Sequence, residues 1–181
     1  SRGALMAKLD IKSAFRICQV RKQDWHYLGF SFLEHYFGTC ASRLDFAPPY
    51  NVLRSYLTPV VDYKNNYGIN SSTHYLDDFF LAGPPSSNQC SLHMQQTIDL
   101  FASLGVPLAP EKRVGPTTCL TFLGIEINSS SMSIQLTQEK LTEIVSLINT
   151  WKDKKKCTKR ELLSLIGKLS FASKVVPSGR T

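Results

Sequence analysis

The chain has 181 residues, 43% hydrophobic and 19% charged, enough for one compact domain with a real core. Its formal net charge of +7 suits a polyanionic partner such as nucleic acid, although charge by itself assigns none. Five scattered cysteines (Cys18, Cys40, Cys90, Cys119 and Cys157) form no C-x-x-C pair, so neither a disulfide framework nor a zinc site is suggested. Free thiols fit a reducing compartment, so an intracellular location, cytoplasm or nucleus, is expected. No signal peptide and no bilayer-length apolar run occurs, so no membrane partner is expected. The chain opens at Ser1 inside a pattern and stops at Gly179-Arg180-Thr181, which predicts a piece of a longer polypeptide with further domains.

Leu5 to Ile11 alternates and predicts a strand, with Asp10 near its end and a turn or helix starting at Lys12 to Phe15. Asp10 can be read as a helix N-cap or as a metal carboxylate at a strand end. The aromatic stretch Asp24 to Phe32 predicts a strand pair or sheet edge. His26 and His35 are expected as surface or polar-contact residues, since nothing nearby completes a metal set. Tyr50 to Tyr56 can form a helix after Ala47-Pro48-Pro49, and Lys64 to Gly68 is a loop.

That loop leads into His74-Tyr75-Leu76-Asp77-Asp78-Phe79-Phe80-Leu81-Ala82-Gly83, around which the rest is organised. Two adjacent charges in an apolar run are costly unless a cation neutralises them. The flanks predict two short strands, with Asp77-Asp78 as the tip of a tight hairpin. A tip presents both side chains on one side, which neighbours in a straight strand cannot do. The plain alternative is a solvated turn containing Asp-Asp.

Gln89 to about Leu104 predicts a helix with Met94, Ile98 and Phe101 on one face and Gly105 as its stop. Pro107 to Pro116 predicts a loop carrying Glu111, Lys112 and Arg113. Leu120 to Ile127 predicts one apolar strand, then a serine-rich turn and a returning strand Ser133 to Leu136. Thr137 caps a helix to about Trp151, with Leu141, Ile144, Val145 and Ile148 expected inward. Lys152 to Lys156 is a solvated basic linker, and Thr158-Lys159-Arg160-Glu161 is a capping box for a last helix carrying Leu162, Ile166 and Leu169 on one side. The mixture of hairpins and helices predicts an α+β layer rather than a doubly wound sheet.

Three features occur together: Asp10 before Ile-Lys-Ser-Ala-Phe, the hairpin Tyr75-Leu76-Asp77-Asp78, and Pro110-Glu111-Lys112 followed by Phe122-Leu123-Gly124-Ile125. This ordered set resembles the palm of a reverse transcriptase over nearly the whole chain. Its wording is most similar to DIRS-like, tyrosine-recombinase-bearing retrotransposons, to which Leu104 to Lys112 and Gly167 to Ala172 add. The resemblance implies an α+β polymerase palm: an antiparallel sheet with helices packed on one face, partial fingers and the start of a thumb or connection. Residues 1–130 would be palm with partial fingers, and 131–181 an incomplete thumb- or connection-like segment. It implies an RNA-directed DNA polymerase acting on an RNA or DNA template-primer and deoxynucleoside triphosphates.

Such phosphoryl transfer rests on positioning and charge neutralisation, with two Mg²⁺ ions roughly 3.5–4 Å apart clamping the reacting oxygens. Hard carboxylate oxygens suit Mg²⁺, with Mn²⁺ as an alternative ion. By resemblance Asp10 and Asp77 hold the metals, with Asp78 close by and the Ile11 carbonyl assisting. Phe15 would lie under the nucleotide sugar and disfavour a 2′-hydroxyl; core packing is its plain alternative. Lys112 would stand near the triphosphate as a proton donor, or is simply a surface lysine. Tyr75, Phe122, Leu123 and Gly124 would position the primer, although Phe122 to Ile125 also reads as an ordinary core strand. Lys8, Arg16, Arg113 and the Lys152–Lys156 run are candidate contacts to backbone phosphates.

One motif of the family departs. Where Leu-Pro-Phe-Gly-x-x-x-Ala-Pro is expected over the incoming nucleotide, the chain reads Cys40 to Pro49. Ala41 to Pro49 can be encoded so that a shifted frame reads Leu-Pro-Phe-Gly-Leu-Arg-Ser-Ala. A short frameshift compensated near Tyr50 is the hypothesis, and a genomic sequence without small indels there would remove it. Arg43 and Asp45 would then replace a glycine and a neutral neighbour, where a side chain obstructs close approach. This favours a second reading, a catalytically decayed fragment that keeps the fold and weak nucleic-acid binding. A generic metal hydrolase is disfavoured because no general base accompanies the carboxylates.

Overall fold

The computed structural model describes residues 1–17, 21–23, 30–32, 35–37, 68–69 and 71–176. The expected helix at Tyr50 to Tyr56, His26 and the Ala41 to Pro49 stretch lie outside the described residues.

The architecture is α+β, built on antiparallel sheets. Strand β1 (Leu5–Asp10) leads into a short helix α1 (Ala14–Ile17), and β2 (Phe30–Phe32) pairs with β3 (His35–Phe37). Strands β4 (Ser72–Tyr75) and β5 (Asp78–Gly83) follow, then helix α2 (Gln89–Ser103) and a 3₁₀ turn at Pro110–Lys112. Strands β6 (Val114–Thr117), β7 (Cys119–Phe122), β8 (Ile125–Asn128) and β9 (Ser133–Leu136) precede helices α3 (Gln138–Lys152) and α4 (Lys159–Ala172).

The main sheet runs β4-β5-β1-β6, with β1 in the centre. Partners across an antiparallel pair share a face, so the register sorts the side chains. Ala7, Leu9, Phe79 and Leu81 turn one way and are buried in the core with Met94, Leu100 and Phe101. Phe101 meets Phe79 edge-on, with ring centroids 4.9 Å apart, so α2 covers this face. Met6, Lys8 and Asp10 turn the other way with Ala82, Phe80 and Asp78. The sheet therefore hides its apolar face under α2 and gathers its charges on the opposite face.

The expected loop at Pro107 to Pro116 is partly a strand. β6 adds to the edge of the sheet beside β1 with a register shift, where Pro116 is tolerated because an edge strand has a side without ladder bonds. Gly115 is what permits it: its φ is +100°, and a Cβ there would lie 2.4 Å from the Met6 carbonyl oxygen.

The expected single strand from Leu120 to Ile127 is in fact two. β7 and β8 form a hairpin whose tip, Leu123-Gly124, has φ of +50° and +76°. Positive φ at both tip positions is what a two-residue hairpin turn needs. An apolar leucine in that conformation gives no turn signal in the sequence. β9 completes this second sheet. The sheet is tied to the chain start by Ser129, whose hydroxyl donates to the Ala4 carbonyl at 2.6 Å and whose own carbonyl accepts from the Gly3 N–H at 2.9 Å.

Both C-terminal helices are capped as expected. The Thr137 hydroxyl accepts from the Lys140 N–H, and Thr158 and Glu161 form a reciprocal capping box. The inward face expected for α3 is corrected by the structure. Ile144 is buried, but Leu141, Val145 and Ile148 are exposed, as are Leu162, Leu163, Ile166 and Leu169 of α4. Helical periodicity marks which face seeks cover and does not supply the cover. The two helices are joined by Lys168–Glu143 at 2.7 Å, and Lys168 and Lys140 hold the Glu143 carboxyl down at about 2. Among the described residues Cys90, Cys119 and Cys157 are free thiols, and no helix is long and apolar enough to cross a membrane.

Candidate active site

The carboxylates meet where β1 ends. Asp10 and Asp78 are register partners across β1 and β5, so their side chains leave the same face of the sheet. The hairpin tip sits one residue earlier than expected: Tyr75 pairs with Asp78, so the two-residue loop is Leu76-Asp77 and Asp78 already belongs to β5. Leu76 takes φ of +54°, a conformation that costs a branched residue about 1–3 kcal/mol. Leu76 packs against the core, which helps hold that turn in place.

Backbone bonds fix this corner from both sides. The Ile11 N–H donates to the Asp77 carbonyl at 3.1 Å, locking the tip to the strand end. On the other side the Lys12 N–H donates to the Pro107 carbonyl and the Ala109 N–H to the Asp10 carbonyl, both at 2.9 Å. The segment that follows turns through Pro110–Lys112 and brings Lys112 back over Asp10.

Like charges directly opposite on a sheet repel, and here two lysines offset the repulsion. The Lys112 Nζ donates to both oxygens of Asp10, at 3.0 and 3.2 Å. The Asp10 side chain is 8% exposed, against 57% for Lys112. Lys8, two residues before Asp10 on the same face, places Nζ 3.4 Å from the Asp78 Oδ1. That oxygen is buried and receives no hydrogen bond, so the contact is an ion pair alone. Burial pushes the Asp77 carboxyl up; its own backbone bond opposes this, the neighbouring Asp78 and Asp10 charges add to it, and Lys112 lowers it. The hydrogen bond and charge of Asp10 push the Lys112 ammonium up in turn.

Among the described residues, the three carboxylates of this corner have two ammonium groups, Lys8 and Lys112, set against two of them. The donors, carboxylates beside a backbone carbonyl, are hard oxygens of the kind Mg²⁺ prefers. The buried Asp78 Oδ1 without a hydrogen bond adds an oxygen that a cation would satisfy. Among the described residues no three Asp, Glu, His or Cys side chains stand in a ready metal cluster. The residues fit a hard divalent cation in kind, and Lys112 occupies both oxygens of the most buried one.

Other expected residues fall around this corner. Phe122 of β7 lies against Phe80 of β5, ring centroids 5.2 Å apart, which brings the Leu123-Gly124 turn to the carboxylate face. Gly124 sits under Phe171 of α4, so close that a Cβ would lie 3.3 Å from the ring. Tyr75 is exposed beside the tip. Phe15 stands on α1, and its side chain is outside the described residues. Lys8, a candidate phosphate contact in the sequence, stands beside Asp78. The strand alternation that puts it on the face of Asp10 is the signal that finds it.

No family model and no curated protein matches the chain. Solved structures do. The chain is similar to the foamy viral protease-reverse transcriptase in complex with RNA/DNA hybrid, with a TM-score of 0.68 and 18% identity over 97% of this chain and 23% of that one. The same viral protein in complex with dsDNA matches with a TM-score of 0.68 and 18% identity, over 95% of this chain and 33% of that one. Native prototype foamy virus protease-reverse transcriptase gives 0.60 at 15% identity, over 96% and 24%. The chain thus spans between about a quarter and a third of those proteins. What the molecule shares with them is its fold, which is reverse-transcriptase-like.

Proposed function

We propose that this chain is the palm of an RNA-directed DNA polymerase from a retroelement, of the DIRS-like kind its sequence resembles. Residues 1–130 form the palm with part of the fingers, and 131–181 begin the thumb or connection. The observation that carries the reading is the pairing of Asp10 with Asp78 on the face of the sheet opposite α2, with Asp77 in the adjoining tip. The reverse-transcriptase-like fold supports it.

In this reading Asp10, Asp77, Asp78 and the Ile11 carbonyl hold two Mg²⁺ ions, or Mn²⁺ in their place. When bound, such ions polarise the phosphoryl group and activate the primer hydroxyl. The chain's own residues do the rest. The rigid corner at β1 and the hairpin fixes the carboxylates, whose repulsion is only partly offset by Lys8 and Lys112. Tyr75, Phe122 and the Leu123-Gly124 turn support the primer end, with Phe122 keyed to the carboxylate strand through Phe80. Phe15 bars a 2′-hydroxyl, and Lys112 gives a proton to the departing pyrophosphate. Template-primer and deoxynucleoside triphosphates are the partners, within a longer polyprotein.

Primer extension on an RNA template with Mg²⁺ and deoxynucleotides tests the proposal, against the double variant Asp77→Ala, Asp78→Ala. Extension lost in the double variant is the expected result. The departure at Ala41 to Pro49 favours the second reading, a decayed polymerase that keeps only its fold and weak nucleic-acid binding. A version carrying the restored motif separates the two, because extension only after restoration marks a disabled enzyme.

A further inference from the structure

The Lys112–Asp10 pair is lopsided. Asp10 is almost wholly buried, whereas Lys112 hangs from an exposed 3₁₀ turn on a flexible four-carbon stem. Breaking the pair costs the lysine little, since its ammonium returns to water. It costs the aspartate much, because a buried carboxylate without a counter-charge is strongly disfavoured. Only the arrival of another cation makes the exchange cheap.

Lys8 is placed differently. It leaves the middle of the central strand, is largely enclosed, and meets Asp78 without a hydrogen bond. It stays where its strand holds it, so Lys112 is the cation free to leave.

We propose that Lys112 is an exchangeable counter-ion of the site, competing with the divalent cation for Asp10 and released toward solvent when that cation binds. The inference rests on the metal-binding reading of the carboxylates and adds an order of events to it. Before the ion arrives, Lys112 keeps Asp10 neutralised and the corner folded. After it arrives, the freed ammonium faces the same corner and is available to an anionic group such as a nucleotide triphosphate. The lysine is thus offered to phosphate only when the ion is in place.

Two readouts besides activity test this. Mn²⁺ binding is followed by electron paramagnetic resonance in the wild type, in Lys112→Met and in the double variant Asp77→Ala, Asp78→Ala. Modification of Lys112 by an amine-reactive reagent is followed by mass spectrometry with and without saturating Mg²⁺. The expected results are Mn²⁺ binding about tenfold tighter in Lys112→Met, and Lys112 labelling several-fold faster in Mg²⁺ for the wild type but not for the double variant. Mn²⁺ binding in the wild type with Lys112 labelling unchanged by Mg²⁺ overturns the inference and leaves the metal reading standing. Absence of Mn²⁺ binding from every form overturns both. Lys8→Met is the comparison that separates exchange from bulk charge. It also removes one positive charge from the corner, yet in Mg²⁺ its Lys112 labels as fast as in the wild type; slower labelling counts against the exchange.

Discussion

Helices α2 and α3 are both fifteen residues long and both amphipathic, yet they stand in opposite situations. In α2 the apolar stripe lies on the main sheet, with Cys90, Met94, Leu100 and Phe101 buried against β1 and β5. In α3 the equivalent stripe buries Ile144 alone, and in α4 no residue is buried. The first region carries its own core. The second is held by caps, by one hairpin contact and by ion pairs such as Lys168–Glu143. The comparison teaches that propensity and capping suffice to specify a helix, while packing decides whether it contributes to stability.

The largest expected effect tests the burial side of that contrast. Phe101→Ala removes a fully buried ring from between α2 and Phe79 and should cost about 3–5 kcal/mol. Leu163→Ala, exposed on α4, should change stability by no more than about 0.5 kcal/mol. Urea denaturation of the two variants measures both, and equal costs would mean that α4 is packed as tightly as α2.

A smaller effect probes whether the two regions unfold together. Thr158→Ala removes the hydroxyl that accepts from the Glu161 N–H, one half of the capping box, and should cost α4 about 1 kcal/mol. Hydrogen exchange should show faster amides over Lys159–Ala172, with β1 and β5 unchanged. If the main sheet loosens in step, the helices and the sheet form one cooperative unit and the contrast fails.

The smallest effect concerns the site itself. Asp77 has a raised folded-state pKa, so the folded protein binds its proton more readily than the unfolded chain. Its ionised form therefore costs stability above that raised value, and the cost disappears as pH falls to the ordinary carboxylate value of 3.8. Asp77→Asn should raise the melting temperature by about 1–3 °C at pH 7, because it removes the burial cost of the charge and its repulsion with Asp78 and Asp10. The gain should shrink toward pH 4. A melting temperature that drops at pH 7 would show that the charge of Asp77 is needed by the fold.

Local signals were enough for the elements that punctuate themselves. Thr137 and Thr158 announce their helices, Gly105 ends α2 with φ of +69°, and alternation places β1 with Asp10 at its end. The Tyr75 to Asp78 hairpin was legible because two charges interrupt an apolar run. Its tip was displaced by one residue because Leu76 takes a left-handed conformation that its side chain does not advertise. Leu123 hid the β7–β8 turn in the same way, and Pro116 hid β6, which only an edge position next to Gly115 allows.

The sequence by itself determined the three carboxylates, the helix caps and the apolar faces, because each is set by neighbours within a few residues. Only the tertiary structure decided that Asp10 faces Asp78, that Lys112 and Lys8 balance them, and that α3 and α4 leave their apolar faces uncovered. Those outcomes depend on pairing between segments as much as 102 residues apart, as Asp10 and Lys112 are. A register shift of one residue would turn Asp78 to the opposite face of the sheet, and no local preference along the chain encodes that choice.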